Sequence, residues 1–235
     1  MCGISGVIVK PGKSISESVL KAMTDVISHR GPDDSGFQFF SPERKEGTVE
    51  STDNWQVGFG HRRLSIIDLS PLGHQPMNYG SSHWIIFNGE VYNYIELRNE
   101  LIQEGFQFQT QSDTEVVLAA YVAWGTRSFS RLRGMWGFVI FDKIKSQVIL
   151  CRDRLGIKPL YYTEVDSCIA VASEIKQFLK IPGFEPRMNS QAIIEWCQTG
   201  YENYDKSFFK DVRILAPGNF LTVEIQEGIT SDPVS

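Results

Sequence analysis

A short polar link between two apolar runs is the feature that most constrains the fold of this chain. The runs Met135–Asp142 and Gln147–Arg152 are separated only by Lys143–Ser146. Parallel strands need a connection of about a dozen residues or more, so these two runs are predicted to pair as an antiparallel hairpin. Since the strand-like and helical segments occur in separate stretches, the pattern favours an antiparallel α+β fold over a doubly wound parallel sheet.

Hydrophobic periodicity predicts the other main elements. The apolar runs Ile4–Val9, Val57–Gly60 and Trp84–Phe87 predict strands. Apolar side chains at three- and four-residue spacing predict three helices: one through Val19–Ile27 that ends near His29, one through Tyr94–Ile102 that ends at Gly105, and one that stops at Gly125.

Turn and capping residues predict where these elements begin and end. Glycine, proline and two aspartates predict a loop over Arg30–Gly36, and the polar segment Ser41–Asn54 predicts an exposed excursion between strands. Ser112 and Glu115 have the spacing of a capping box at the start of the third helix.

Composition narrows the class of protein. The 235 residues, 42% of them hydrophobic, are enough for one large domain with a sizeable core. A formal net charge of −5 argues against a nucleic-acid partner. The longest apolar run falls far below the roughly 18 residues of a membrane helix, and Lys10–Gly12 interrupts the only N-terminal apolar run. We therefore expect no membrane span, no secretory signal and a cytoplasmic location.

The cysteines are scattered along the chain and suggest no metal site. Cys2, Cys151, Cys168 and Cys197 form no C-x-x-C pair, and no histidine stands at ligand spacing beside any of them. Cys151, Cys168 and Cys197 are therefore predicted to be small buried side chains.

Cys2 is different because of its position. Initiator methionine is removed most readily before a small side chain, which would leave Cys2 with a thiol and a free α-amine on the same carbon. An α-amine titrates near 7.7–8.0 and a thiol near 8.5, so the amine can accept the thiol proton at neutral pH. Position alone also fits an ordinary cysteine at the start of a core strand.

Asn88-Gly89 supports two interpretations, and both rest on the same tight turn. An Asn-Gly pair between apolar segments is the strongest short-range signal for a two-residue hairpin turn. A tight turn would also present the Gly89 amide and the Asn88 side-chain amide together, as two donors for the oxyanion of a tetrahedral intermediate.

Arg63 and Asp113 are candidates for binding a zwitterion. Arginine offers planar bidentate donors to a carboxylate, although Arg63 also fits an ordinary surface charge. Asp113 stands near the start of a predicted helix, where it can favour the positive end of the macrodipole or accept an ammonium group. Spacing alone does not bring the two together.

Nine segments in order resemble the glutaminase domain of glutamine-hydrolysing asparagine synthetases, over nearly the whole chain to about Val223. They are Met1–Gly6, His29–Asp33, His61–Asp68, Asn88–Asn93, Ser112–Glu115, Gly134–Phe138, Arg152–Tyr162, Ala172–Lys176 and Leu215–Gly218. The resemblance implies a class II glutamine amidotransferase domain with the N-terminal-nucleophile hydrolase fold, a four-layer αββα sandwich of two antiparallel sheets. It places this domain at residues 1–225, with 226–235 as a linker or the start of a synthetase domain.

The resemblance also implies roles for individual residues. Cys2 attacks the side-chain amide of L-glutamine with its α-amine as base, and Asn88 and Gly89 form the oxyanion hole. Arg63 binds the α-carboxylate, and Asp113 and Glu90 bind the α-ammonium. Leu64, Ser65, Ile66 and Ile67 line the pocket. The segments around His29–Asp33 and Arg152–Tyr162 are expected to be scaffolding.

One part of the family pattern is missing from this sequence. No Ser-Gly-Gly-x-Asp-Ser pyrophosphate loop and no G-x-x-x-x-G-K loop occur, so ATP and magnesium are expected only on a separate synthetase domain or subunit. Asparagine synthesis is the expected use of the ammonia. Amidation of a sugar carboxylate, a different amidase on the same fold and a silent glutamine-binding or docking module are the alternatives, and a homodimer is compatible with each.

Overall fold

Two antiparallel sheets form the centre of the molecule. The computed structural model describes residues 1–41, 55–201, 206–229 and 232–234, so the predicted excursion lies outside the described residues except at Ser41. The strands in chain order are β1 Gly3–Val9, β2 Asp34–Phe40, β3 Val57–Arg63, β4 Met77–Tyr79, β5 His83–Val91, β6 Gly134–Asp142, β7 Gln147–Arg152, β8 Tyr161–Glu164, β9 Cys168–Ala172, β10 Val212–Ile214, β11 Phe220–Glu224 and β12 Gly228–Ile229. One sheet has the order β10-β8-β9-β1-β3-β2, and the other has the order β12-β11-β7-β6-β5-β4.

Helices cover the outer face of each sheet. The α-helices are α1 Glu17–Asp25, α2 Tyr94–Gln103, α3 Asp113–Trp124 and α4 Ser190–Thr199. Short 3-10 helices occur at Ser28–Arg30, Pro71–Gly73, Gly125–Arg131 and Ile175–Lys180. None of the helices in the described parts of the chain is both long and apolar enough to cross a membrane.

Three apolar clusters define the layers. Between the sheets, Ile4 and Phe59 of the first sheet pack with Ile86 and Val139 of the second. Leu101 of α2 and Leu118 of α3 belong to a cluster with Phe87 and Phe138 on the outer face of the second sheet. Leu20 and Met23 of α1 belong to a cluster with Val7 and Ala170 on the outer face of the first sheet. The order helix, sheet, sheet, helix confirms the predicted four-layer αββα sandwich.

Several local predictions are confirmed and one is half right. β6 and β7 form the predicted hairpin, with Asp142 opposite Gln147. The Ser112 hydroxyl caps α3 by accepting a bond from Thr114 N at 3.1 Å. Glu115 does not return to the cap, because its carboxylate accepts the backbone N–H groups of Gln109 and Thr110 in the preceding loop.

Two predictions, the loop over Arg30–Gly36 and the burial of Cys197, are wrong. The loop expected over Arg30–Gly36 ends early, because β2 begins at Asp34 and pairs with β3. A side chain at Gly36 would place a Cβ 2.0 Å from Gln75 O, so this glycine permits a close approach of two backbones. Cys197 was expected to be buried but is exposed. It lies on α4, a surface helix in which Ala192 is the one buried residue.

Candidate active site

Asn88-Gly89 does not form a turn. Both residues lie inside β5, with Asn88 opposite Gly137 and Gly89 opposite Trp136 of β6. The turn interpretation is wrong because β6 continues alongside β5 as far as Val91 and keeps the dipeptide extended. The two donors are therefore presented by a strand rather than by a hairpin loop.

The edge of β5 that faces away from β6 is only partly covered by a strand. β4 ends its pairing opposite Ile85. Beyond that point Phe87 N donates to Gln75 Oε1 at 2.7 Å, and His61 Nε2 lies 3.1 Å from Phe87 O. Side chains thus replace the missing strand partner of Phe87.

The same edge leaves one backbone donor facing a cavity. Val91 N donates to Asp113 Oδ2 at 2.9 Å. Alternate residues of a strand direct their N–H groups to the same edge, so Gly89 N points to the side where Phe87 and Val91 are already bonded. Gly89 lines a cavity there. A Cβ at Gly89 would lie 2.2 Å from Met135 O, so this position accepts only glycine without movement of β6.

The cavity has a volume of about 250 Å³ and collects most of the predicted site residues. Those in its wall are Cys2, Arg63, Leu64, Ile66, Ile67, Asn88, Gly89, Glu90 and Asp113. Ser65 is not among the lining residues, and its backbone N–H donates to Asp33 Oδ2 at 2.8 Å. The prediction that Ser65 lines the pocket is therefore not supported by its placement.

Cys2 lies just before β1 with its thiol against the backbone of Leu64. Leu64 N donates to Sγ at 3.4 Å, and Sγ lies 3.6 Å from Leu64 O. Arg30 Nε donates to the Cys2 carbonyl at 2.9 Å and fixes the main chain. Burial raises the pKa of the Cys2 thiol, against the opposing effect of the Leu64 bond and the nearby N-terminal amine. A thiol in this setting needs an adjacent base to react at neutral pH.

The Asn88 side chain is buried with an unsatisfied donor. Only 1% of this residue is exposed, and its Nδ2 has no hydrogen-bond partner among the described residues. A buried unpaired amide costs about 1–3 kcal/mol, so such groups call for a functional explanation. Because Asn88 lines the cavity, a bound acceptor would satisfy this donor.

Asp113 is the first residue of α3 and is almost fully buried beside the cavity. Burial raises its pKa to about 6, and the negative charge of Glu90 acts in the same direction, while bonds from Val91 N and Thr114 N oppose them. Two acidic side chains in one cavity wall make this end of the cavity suited to a cation.

Arg63 also reaches the cavity, but its guanidinium is engaged. Nη1 donates to Ser70 O at 3.0 Å, and Nη2 donates to Asp68 O. A Cβ at Gly73 would lie 2.0 Å from Nη2, so a side chain at this position would displace the guanidinium. Arg63 therefore anchors the loop after β3 in this conformation, and its role toward a carboxylate stays a prediction.

Residues that the sequence argument did not select complete the wall. They include Gly73, Gln75, Ser112, Thr114, Met135 and Lys158. Lys158 belongs to the segment expected to be scaffolding. The buried Asp153 carboxylate holds that segment by accepting backbone N–H bonds from Trp136, Leu155, Ile157 and Lys158. The motif therefore both builds the loop and adds a cation to the cavity.

His61 is fully buried, and this burial lowers its pKa to about 3. The nearby Asp34 raises the pKa, whereas His74 and Arg63 lower it further. An unfolded histidine binds a proton below about pH 6.5, whereas this folded one does not, so stability falls as pH drops from 6.5 towards 3.

We expect the stability advantage of the wild type over His61→Gln to be about 2 kcal/mol smaller at pH 5 than at pH 7.5. Urea unfolding at the two pH values measures this difference. A pH-independent difference would contradict a buried neutral imidazole.

Comparison with known proteins identifies the family. Residues 1–232 match the model of the glutamine amidotransferase domain. This chain belongs to that family. The B. subtilis glutamine phosphoribosylpyrophosphate amidotransferase structure, a complex with ADP and GMP, superposes on 100% of this domain and 49% of that chain with a TM-score of 0.71 at 21% identity. That likeness confirms the N-terminal-nucleophile hydrolase fold.

Curated relatives of this glutamine amidotransferase domain are longer and carry different names. Asparagine synthetase [glutamine-hydrolyzing] 1 of Bacillus subtilis is 38% identical over 98% of the domain and 34% of that protein. Amidase chry2 of Gibberella zeae is 40% identical over 94% of the domain and 32% of that protein. The domain therefore spans about a third of the length of these relatives. It is a glutamine amidotransferase enzyme of the type found in asparagine synthetase-like proteins.

Proposed function

We propose that this domain hydrolyses L-glutamine to L-glutamate and ammonia with Cys2 as the nucleophile. The observation that carries the proposal is the cavity itself, because it is lined by Cys2, by Gly89 and by Asn88, whose amide nitrogen has no partner among the described residues. A nucleophile beside two oxyanion donors is the arrangement that acyl transfer requires.

The chemistry follows from these groups once Met1 is removed. The α-amine of Cys2 accepts the thiol proton, Sγ attacks the side-chain carbonyl carbon of glutamine, and Asn88 Nδ2 and Gly89 N donate to the oxyanion. As the tetrahedral intermediate collapses, the protonated α-amine gives its proton to the amide nitrogen, the C–N bond breaks, and ammonia leaves a thioester on Cys2. Water then attacks the thioester, with the same amine as base, and releases glutamate. Met1 lines the cavity, so its removal would leave the new amine facing the substrate.

The α-ammonium and the α-carboxylate of glutamine are carried by the same carbon, and the cavity wall offers charges of both signs to this zwitterionic head. Asp113 and Glu90 supply negative charge for the α-ammonium, and Arg63 and Lys158 supply positive charge for the α-carboxylate. Leu64, Ile66 and Ile67 offer apolar surface to the two methylene groups that join this head to the side-chain amide. This set favours an amino-acid substrate over amides that lack the zwitterionic head.

The ammonia is proposed to pass to an ATP-dependent synthetase module, with aspartate as the acceptor. The asparagine synthetase names among the relatives support this use. Amidation of a different carboxylate is the second candidate, since a relative at 40% identity is named an amidase and not an asparagine synthetase. Full-length protein supplied with glutamine, ATP and either aspartate or a panel of other carboxylates distinguishes the two, since only the true acceptor becomes amidated.

The glutaminase step has a direct test on the purified domain. We expect equal amounts of glutamate and ammonia from glutamine without added ATP, and no asparagine from aspartate, glutamine and ATP. Absence of glutamate from a sample with a processed N-terminus would contradict the proposal and would favour the silent binding module.

Asp113→Asn is expected to raise the KM for glutamine about 10- to 100-fold with little change in kcat, because a hydrogen bond to a charged group is worth about 1.5–3 kcal/mol. In the wild type, kcat/KM should fall below about pH 6, where the carboxyl becomes protonated. Asp113→Asn should lack the component of this fall near pH 6 and keep only the pH dependence that the Cys2 α-amine gives to both proteins. Steady-state kinetics from pH 5 to 8 check both effects. Glu96→Gln, an exposed change outside this cavity, is the control. An unchanged KM would remove Asp113 from the ammonium site.

A further inference from the structure

His61 is a buried polar side chain for which the proposed reaction has no step. It stands in β3 opposite Ile4 of β1, one sheet away from β5. Its Nε2 nevertheless reaches Phe87 O at 3.1 Å, so this hydrogen bond joins the two sheets. Phe87 immediately precedes Asn88, and the bonded carbonyl therefore belongs to the peptide unit that also contains Asn88 N.

The bond has one possible direction. A carbonyl oxygen only accepts, so the proton must reside on His61 Nε2. The other ring nitrogen, Nδ1, is buried and has no partner among the described residues. The imidazole therefore acts as a single fixed donor, and burial keeps it neutral by lowering its pKa.

A second buried side chain holds the opposite polar group of the same residue. Gln75 Oε1 accepts from Phe87 N at 2.7 Å, and Gln75 Nε2 donates to Thr114 Oγ1 at 3.4 Å. Side chains from outside the strand are thus hydrogen-bonded to both the N–H and the carbonyl of Phe87. These bonds lie beyond Ile85, where the pairing of β4 with β5 ends.

We propose that His61 is a positioning residue for glutamine hydrolysis: it fixes the Phe87–Asn88 peptide and thereby sets where Asn88 Nδ2 and Gly89 N meet the oxyanion. The role rests on the proposed glutaminase function. β1, which follows Cys2, and β3, which carries His61, are hydrogen-bonded neighbours in the first sheet, whereas the oxyanion donors belong to the second. The His61 bond is consequently a direct tie between the sheet that holds the nucleophile and the strand that holds the oxyanion hole.

A matched pair of amide variants tests the role. Glutamine places its amide nitrogen near the position of Nε2, whereas asparagine reaches only to about Nδ1. We expect His61→Gln to keep most of the wild-type kcat. His61→Asn should lower kcat about 10- to 100-fold, since a displacement near 1 Å in a reacting constellation can cost about 100-fold. The KM for glutamine should change less than twofold in both variants, because the residues proposed to hold the zwitterionic head are untouched.

Three further readouts separate positioning from general stability. Urea unfolding gives the folded fraction, to which each kcat is normalised. The rate of Cys2 alkylation by iodoacetamide should remain at the wild-type value, since the thiol environment at Leu64 is unchanged. In an Asn88→Ala background, His61→Asn should cost less than a third of its effect in the wild type, because groups that act as a unit are non-additive.

Equal kcat values for His61→Gln and His61→Asn, or fully additive effects with Asn88→Ala, would overturn the positioning role. A loss confined to stability would do the same. Failure of the glutaminase proposal is distinguishable, because in that case the wild type itself would release no glutamate.

Discussion

Cys2→Ala abolishes glutamine hydrolysis while glutamine still binds: this is the largest effect that we expect. Removing the nucleophile of a hydrolase that works through an acyl-enzyme can cost about a millionfold in kcat, so the variant should fall below detection in an ammonia assay. Binding should persist because the charged groups proposed to hold the zwitterionic head of glutamine, Asp113 and Arg63, belong to other elements that line the cavity. Calorimetry with glutamine measures the retained affinity.

The chain offers a matched control for this substitution. Cys197 is an exposed cysteine of α4, outside the cavity, so Cys197→Ala should leave kcat and KM unchanged. Alanine at position 2 is also small enough for removal of Met1, which keeps the N-termini comparable. Turnover above a few per cent in Cys2→Ala would show that another group is the nucleophile.

The second large effect is expected for Asn88→Ala. Its Nδ2 is buried and has no partner in the part of the chain that the structure describes, so it is available to an oxyanion that forms in the cavity. Loss of one oxyanion donor typically lowers kcat about 100- to 1,000-fold, and because the interaction belongs to the transition state the KM should change little. Steady-state kinetics give the two parameters separately.

Asn78→Ala serves as the control for this change. Asn78 is an exposed asparagine of β4, one strand away from the oxyanion strand, and its amide bonds only locally to Gly80 O. We expect wild-type kinetics from it. A rise in KM with an unchanged kcat in Asn88→Ala would instead make Asn88 a ground-state contact for substrate.

Sequence patterns predicted the antiparallel α+β class better than the local irregularities of the fold, and the four layers were implied by the family resemblance. The four-residue link after Asp142 left only an antiparallel hairpin, and apolar periodicity located α1, α2 and α3. The Asn-Gly rule failed at residues 88 and 89 because it is local, whereas the strand that keeps them extended begins at Gly134, far along the chain. Glu115 left its capping position for the same reason, since the loop at Gln109 and Thr110 offered it two backbone donors.

The site shows a similar division between motif and tertiary contact. Cys2, Asn88 and Asp113 were identified by resemblance, and the fold brings them to one cavity. Gln75 was not selected, and Lys158 was assigned to scaffolding, because the importance of both depends on which groups they meet in the folded chain. Arg63 was expected as an open fork, but its partners Asp68 and Ser70 lie on the loop that follows it, and local spacing gave no sign of that bond.

The chemical state of the N-terminus provides the most direct test of the central claim that Cys2 attacks with its own α-amine as base. Two preparations of the domain, one with Met1 removed and one with Met1 retained behind a blocked N-terminus, are assigned by mass spectrometry and assayed for ammonia release from glutamine. The account predicts that activity follows the fraction of chains that begin at Cys2, and that the retained form is inactive because its base is locked in a peptide bond. Full activity in chains that demonstrably keep Met1 would contradict it.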